Sequence, residues 1–320
     1  MTTTSTGGSS GVQAVPARGT APARPRLPTR TLGAQLVAFS FVAPALVLLC
    51  IFLIYPITTV VLVSFQQWSL LGAGQFIGLR NFQFIFNDPR FVSAVLNTIY
   101  FVGLAVPTQI AVGLFLALLM NNAVAGRSWL RTSFFLPMAL SFAAAGIVFR
   151  WLFSTSPLPG LVPSLFSAVG LAFPAWLSTD GAWAMPMIVV MNTWKVAGYS
   201  MVIYLAGLQT ISADLYEAGS IDGIRSAWQQ LRYISWPLLM PTTFLLLITH
   251  TIGSFRAFEP MFVMTAGGPA GATTTLVYYI YTKFPNLMGQ ASAASTVLLV
   301  GVLLITALQF SLSRRAEAYY

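Results

Sequence analysis

Six stretches of this chain, roughly 33–62, 94–120, 133–153, 183–209, 237–258 and 292–312, stay apolar for about twenty residues or more and hold few charges. At 1.5 Å per residue, a helix of that length crosses the ~30 Å hydrocarbon layer of a bilayer. Inside lipid each backbone N–H and C=O must be satisfied within the protein, so such runs read as helices. The composition agrees: 57% of the 320 residues are hydrophobic and only 7% charged, against about a quarter charged in an ordinary soluble domain. The expected fold class is therefore all-α integral membrane, with six transmembrane helices. A seventh segment, "LPGLVPSLFSAVGLAFPAW" (158–176), carries Pro159, Pro163 and Pro174. It reads as interfacial rather than spanning.

The first 30 residues are Thr, Gly, Ser, Ala and Pro with four arginines and no large apolar cluster. They read as a disordered tail. The first apolar run begins near Leu32 and is long, so it reads as a signal anchor rather than a cleaved signal peptide. Charge bias then orients the spans. With the tail inside, the cytoplasmic pieces hold Arg18, Arg24, Arg26, Arg30, Arg127, Arg131, Arg225, Arg232, Arg314 and Arg315. The outer pieces hold Arg80, Arg90, Arg150, Arg256 and Lys283, and Lys195 is left within a span. Both termini are expected in the cytoplasm: the tail 1–30, then a six-span domain 31–313, then a short end 314–320.

Several functions are excluded. Cys50 is the only cysteine, so neither an internal disulfide nor a cysteine metal site can form. There is no G-x-x-x-x-G-K-[ST], and neither Lys195 nor Lys283 follows the glycines that cradle phosphate, so the chain is not expected to bind ATP. H-E-x-x-H and paired intramembrane carboxylates are absent too, which leaves an intramembrane protease unsupported. The 16 basic residues form no patch interleaved with exposed aromatics, so nucleic acid is not an expected partner. A stand-alone ion-coupled carrier usually places acids inside its spans. Here the nearest candidates, Asp180 and Glu259, fall at outer boundaries.

Three of the seven acids, Asp214, Glu217 and Asp222, crowd into "DLYEAGSIDGIRSAWQQLRYISWPLLMP" between the fourth and fifth spans. Ser212 is placed to cap a helix whose first turn carries Asp214. Leu215, Ala218 and Ile221 recur at helical spacing, and Gly223 breaks that helix. A second helix is expected from about Arg225, with Trp228, Leu231 and Ile234 on one face and Pro237 re-aiming the chain into the next span. Two short amphipathic helices at an angle make a knob suited to a groove on another protein. A solvated loop whose acids keep it out of lipid is the other reading of the spacing.

"YEAGSIDG…ISWPLL" resembles the EAA motif of binding-protein-dependent ABC importer permeases: Glu217, Ala218, Gly223, Ile234 and Pro237 match it. Gly219 stands for the second Ala, Trp236 for Leu, and the interval from Gly223 to Ile234 is one residue longer, the extra residue being most easily placed at Ile224–Ser226. Four further blocks, 76–101, 131–153, 194–212 and 258–281, resemble the sugar-importer branch related to the maltose system. The resemblance implies the type I importer permease fold and a bacterial inner-membrane location. It also implies a second permease, two cytoplasmic ATPase subunits that bind ATP and Mg, and an extracytoplasmic solute-binding protein. This chain would itself be non-catalytic and carry no cofactor. Glu217, Ala218, Gly219, Asp222, Gly223 and Trp228 would couple to the ATPase across segment 212–235, and "AGGPAG" (266–271) would lie near the binding protein.

Asn192, Lys195 and Tyr199 share one face of the fourth span, and His250, Ser254 and Ala257 one face of the fifth, with Arg256 and Glu259 at its outer end. Polar groups are costly at this depth, and Asn, Tyr, His and Ser offer the partners that sugar hydroxyls need. In the resembling family these two helices help line the central cavity. Asn192, Tyr199, His250 and Ser254 are therefore the expected substrate contacts, with Lys195 next. By residue type alone, a lone histidine is more often an interhelical hydrogen-bonding partner. Trp151, Trp176 and Trp183 read as interface anchors. The expected solute is a sugar or oligosaccharide; a glycerol-phosphate ester facing Lys195 and Arg256 is the alternative.

Overall fold

The computed structural model describes residues 2–4, 32–69, 72–121, 126–155, 158–176 and 181–317. The expected tail, apart from 2–4, lies outside the described residues, as do Asp180 and the side chains of Arg127, Arg314 and Arg315. Contacts divide the chain into two units, Met1–Tyr55 and Pro56–Tyr320. In the first, α1 (Leu32–Leu49) runs into a π-helical turn, Cys50–Ile54. The described side chains of this unit, including Phe41, Phe52 and Leu53, are largely exposed.

The second unit opens at the second residue of α2 (Tyr55–Ser64) and continues into a two-stranded antiparallel ribbon, β1 (Gln66–Ser69) and β2 (Gly72–Phe76). The all-α reading did not include this ribbon. Buried Asn81, in α3 (Arg80–Phe86), holds it by donating to the carbonyls of Ser64 at 2.9 Å and Gln66 at 2.8 Å. Next comes α4 (Pro89–Asn121), whose first residue is a proline, tolerated where no N–H is needed. The Asp88 carboxylate accepts the Arg90 N–H at 3.0 Å, in the manner of an N-cap.

Helices α5 (Arg127–Ala139) and α6 (Phe142–Leu152) occupy the expected third span, but they form a pair bent by 104° rather than one rod. The proline-rich segment contains α7 (Leu161–Ala168), about 12 Å long and too short to cross a bilayer. Trp176 after it is not an interface anchor. It is 1% exposed, its indole N–H donates to the Phe153 carbonyl at 2.6 Å, and it packs with Phe149 and Met185. Trp151 and Trp183 are exposed.

The central element is α8 (Ala184–Gln209). Phe101 and Ala105 toward the middle of α4 pack with Met185 and Ile188, and Leu116 and Met120 near its end pack with Met201 and Leu208. The two helices therefore run parallel, and the start of α4 lies at the same end as the start of α8. Gly198 lets α8 approach α5 closely, since a Cβ there would strike the Phe134 carbonyl.

After α8 come α9 (Ala213–Ile221), α10 (Ala227–Gln230), a π-helical turn (Leu231–Ser235) and α11 (Trp236–Leu238). The chain then bends by 70° into α12 (Met240–Phe255). The re-aiming falls at buried Leu239, with Pro241 in the first turn of α12, and not at Pro237. Short helices α13 (Glu259–Thr265) and α14 (Leu276–Lys283) lead to α15 (Met288–Glu317). Among the described residues, four helices are long and apolar enough to span, Phe39–Ser64, Pro89–Asn121, Ala184–Gln209 and Met288–Ser313, and counting each bent pair as one span gives six.

At the α4-start end, Lys283 of α14 forms a salt bridge to Asp88 at 3.0 Å, and the Tyr279 hydroxyl donates to the same carboxylate at 2.9 Å. Burial alone would push the Asp88 carboxyl up; hydrogen bonds from Lys283, the Arg90 N–H and Tyr279 outweigh it and hold the group below its ordinary range.

Candidate functional site

Four elements meet around a cavity of about 280 Å³: α4 brings Gln109, α6 brings Phe142, α8 brings Asn192, and α12 brings His250 and Ser254, with Arg256 and Glu259 just beyond. Asn192 lies roughly 12 Å along α8 from its start. Of the five residues expected in the pathway, Asn192, His250 and Ser254 are buried and line the cavity. Gln109 Nε2 donates to Asn192 Oδ1 at 3.4 Å. The His250 Nε2 stands 2.7 Å from Ser200 Oγ, so the ring is fixed by a hydroxyl of α8 while it also faces the cavity. The interhelical and the cavity-facing readings of His250 both describe it.

Tyr199 does not line the cavity. It is half-buried and meets the His250 ring edge-on at 6.2 Å, supporting the imidazole from behind. Lys195 is likewise off the wall. Its ammonium donates to the carbonyls of Met138 at 3.2 Å and Leu140 at 2.6 Å, and lies 4.4 Å from the centre of the Phe142 ring. These carbonyls belong to the corner between α5 and α6, where helical bonding fails and acceptors are left over. The buried cation takes them up, which is why it is not presented to a solute.

Gln109, Ser200 and Phe142 were not singled out from the sequence. Gln109 had a signal, an amide in the middle of the second apolar run. Phe142 had none, because its place depends on the bend. Among the described residues no group of three or more His, Cys, Asp or Glu converges to hold a metal.

The acidic knob begins where α8 ends, roughly 25 Å along that helix from Asn192. Ser212 caps α9 by accepting the Asp214 N–H at 3.3 Å, and Asp214 lies in the first turn. Gly223 takes φ +89, the left-handed conformation that closes α9. Ser226 and Gln229 form a reciprocal capping box for α10. Between Gly223 and Pro237 the helix widens into a π turn over Leu231–Ser235, which holds more residues per turn than an α-helix.

Inward contacts come from the Tyr216 hydroxyl, 2.9 Å from Ser235 Oγ, and from buried Gly219 and Ile234. A side chain at Gly219 would press on the terminal methyl of Ile234, so α9 packs closely on the π turn at this point. The expected apolar face is not satisfied within this chain: Leu215, Ile221 (85% exposed) and Trp228 (66% exposed) face outward, as do Glu217, Ala218 and Asp222. Among the described residues, none of the three acids has an ion-pair partner.

Residues 71–318 match the family described as "Binding-protein-dependent transport system inner membrane component". The chain is 38% identical to the lactose transport system permease protein of Rhizobium radiobacter over 84% of this chain and 90% of that one. It is 35% identical to the sn-glycerol-3-phosphate transport system permease protein of Brucella suis over 89% and 97%. It is also similar to a chain in the crystal structure of a bacterial alginate ABC transporter in complex with an alginate pentasaccharide-bound periplasmic protein, with a TM-score of 0.76, 26% identity and coverage of 89% and 96%. A stand-alone ion-coupled carrier does not fit such a family. With four to six apolar crossings, a cavity between α4, α6, α8 and α12, and no nucleotide-binding motif of its own, the chain belongs to the binding-protein-dependent transport system inner membrane components, as a non-catalytic permease subunit.

Proposed function

We propose that this permease carries a neutral sugar or oligosaccharide, delivered by a solute-binding protein and moved by alternating access. Family membership implies work alongside another permease, an ATPase and a binding protein. In this reading the second permease is a different chain, and two cytoplasmic ATPase subunits hold ATP and Mg. The knob enters a cleft on one of them: Glu217 offers a charge-assisted contact, Trp228 and Ala218 the apolar one, Asp222 supports them, and Gly219 and Gly223 shape the turn. Both termini then face the cytoplasm.

The balance of charge in the cavity carries the choice of solute. Lys195 is bound to carbonyls, and the single guanidinium of Arg256 shares the lining with the carboxylate of Glu259. An anionic phosphate ester would meet one cation and one like charge. Hydroxyl groups would find the amides of Gln109 and Asn192, the His250 ring and Ser254.

The complete importer in proteoliposomes, with its own binding protein, should take up radiolabelled neutral disaccharides such as lactose. It should transport sn-glycerol 3-phosphate at least tenfold less efficiently, about 1.4 kcal/mol of discrimination. Preference for the phosphate ester would overturn the proposal. Asn192→Leu with Ser254→Leu should abolish uptake without loss of membrane insertion.

A further inference from the structure

Sugar recognition needs two kinds of surface. The hydroxyl edge of a pyranose asks for hydrogen-bonding partners, and its C–H face asks for an aromatic ring. The tryptophans of the chain do not supply that ring at the cavity. Among the described residues, the cavity wall carries one phenyl group, that of Phe142, beside the polar groups of Gln109, Asn192, His250 and Ser254. Phe142 is half-buried and is the first residue of α6, immediately after the 104° corner.

We propose that Phe142 is the apolar contact for the transported sugar and that Lys195 is the residue that positions it; this inference rests on the sugar reading above. Four contacts fasten the corner. Lys195 Nζ donates to the carbonyls of Met138 and Leu140, the last ones before the turn. The same ammonium lies over the Phe142 ring at 4.4 Å. Ser141 caps α6 by accepting the Ala144 N–H at 3.1 Å. Close packing of Gly198 on the Phe134 backbone holds α5 against α8 one turn from Lys195. The ring therefore sits on an anchored backbone, and a buried lysine that touches no cavity still governs what the cavity presents.

The test is solute uptake by the complete importer in proteoliposomes, with lactose as first probe and maltose and sucrose beside it. Phe142→Met keeps the volume and removes the ring. It should raise KM about fivefold, the size of a lost aromatic contact, and leave the maximal rate within about twofold. Phe142→Tyr keeps the ring and should stay within about twofold of wild type in both. Lys195→Met should raise KM as Phe142→Met does, and the double variant should rise no further, because both changes remove one contact.

Equal KM for the Met and Tyr variants overturns the role of the ring, and KM effects that multiply overturn the positioning role of Lys195. Should Phe142→Met fail to assemble, Lys195→Met paired with Phe142→Tyr carries the same expectations. If Asn192→Leu with Ser254→Leu abolishes uptake while Phe142→Met keeps wild-type KM, this inference fails and the pathway reading stands. If the importer moves none of the three sugars, both fail.

Discussion

A Cβ built on Gly219 would stand 2.7 Å from Ile234 Cδ1, the movable end of a side chain. Gly219→Ala should therefore be tolerated, by a small swing of that methyl. Gly219→Val should force α9 away from the π turn at a cost of roughly 1–3 kcal/mol. Co-purification of the ATPase subunit with each variant checks this, and Ile234→Val should restore part of the loss. At the other end of α8, Asp88 accepts bonds from Lys283, Tyr279 and the Arg90 N–H and is held below its ordinary value of 3.8. A carboxyl depressed in the folded state stabilises above its unfolded pKa, and that contribution is lost as pH falls through the folded value. Thermal stability in detergent should decline below about pH 4 in wild type and less steeply in Asp88→Asn. At neutral pH the variant should be weaker by about 1 kcal/mol, the size of a partly exposed pair.

Among the elements, the knob was read most fully from its residues. Its first cap at Ser212, its break at Gly223 and its first-turn acid are set by neighbours within a few residues, so local chemistry sufficed. The π turn was not legible, because it answers to packing of Ile234 beneath α9. With Glu217 unpaired among the described residues and the apolar face outward, charge reversal acts on a partner and not on the fold. Glu217→Lys should lower ATP-driven uptake roughly 30-fold or more, the effect of breaking a close interfacial charge contact, while insertion stays normal. The 70° bend was expected two residues early, at Pro237 instead of Leu239, and the 104° corner was not expected at all. A hydropathy run reports that a segment is apolar, not that its axis is continuous, and the 104° corner is held by Lys195 from another helix.

Across the whole molecule, α4 and α8 run parallel, so the knob and the Asp88–Lys283 pair lie at opposite ends of α8. In a Cys50→Ser background, cysteine at Ile221 should react with an impermeant thiol reagent only from the cytoplasmic face. Cysteine at Arg90 should react only from the outer face. Labelling of both from one side would reverse or dismantle the proposed orientation. The sequence by itself determined that the chain is helical and membrane-spanning, and it located the knob. Each of these depends on how apolar a run is or on which residues stand a few places apart, and lipid thickness and backbone bonding convert such patterns directly into structure. Only the tertiary structure decided which polar groups face the cavity. It turned Tyr199 behind His250, tied Lys195 to the α5–α6 corner, and brought in Gln109 and Phe142. Those assignments depend on groups dozens of residues apart competing for the same buried partners, and no spacing along one helix records the outcome of that competition.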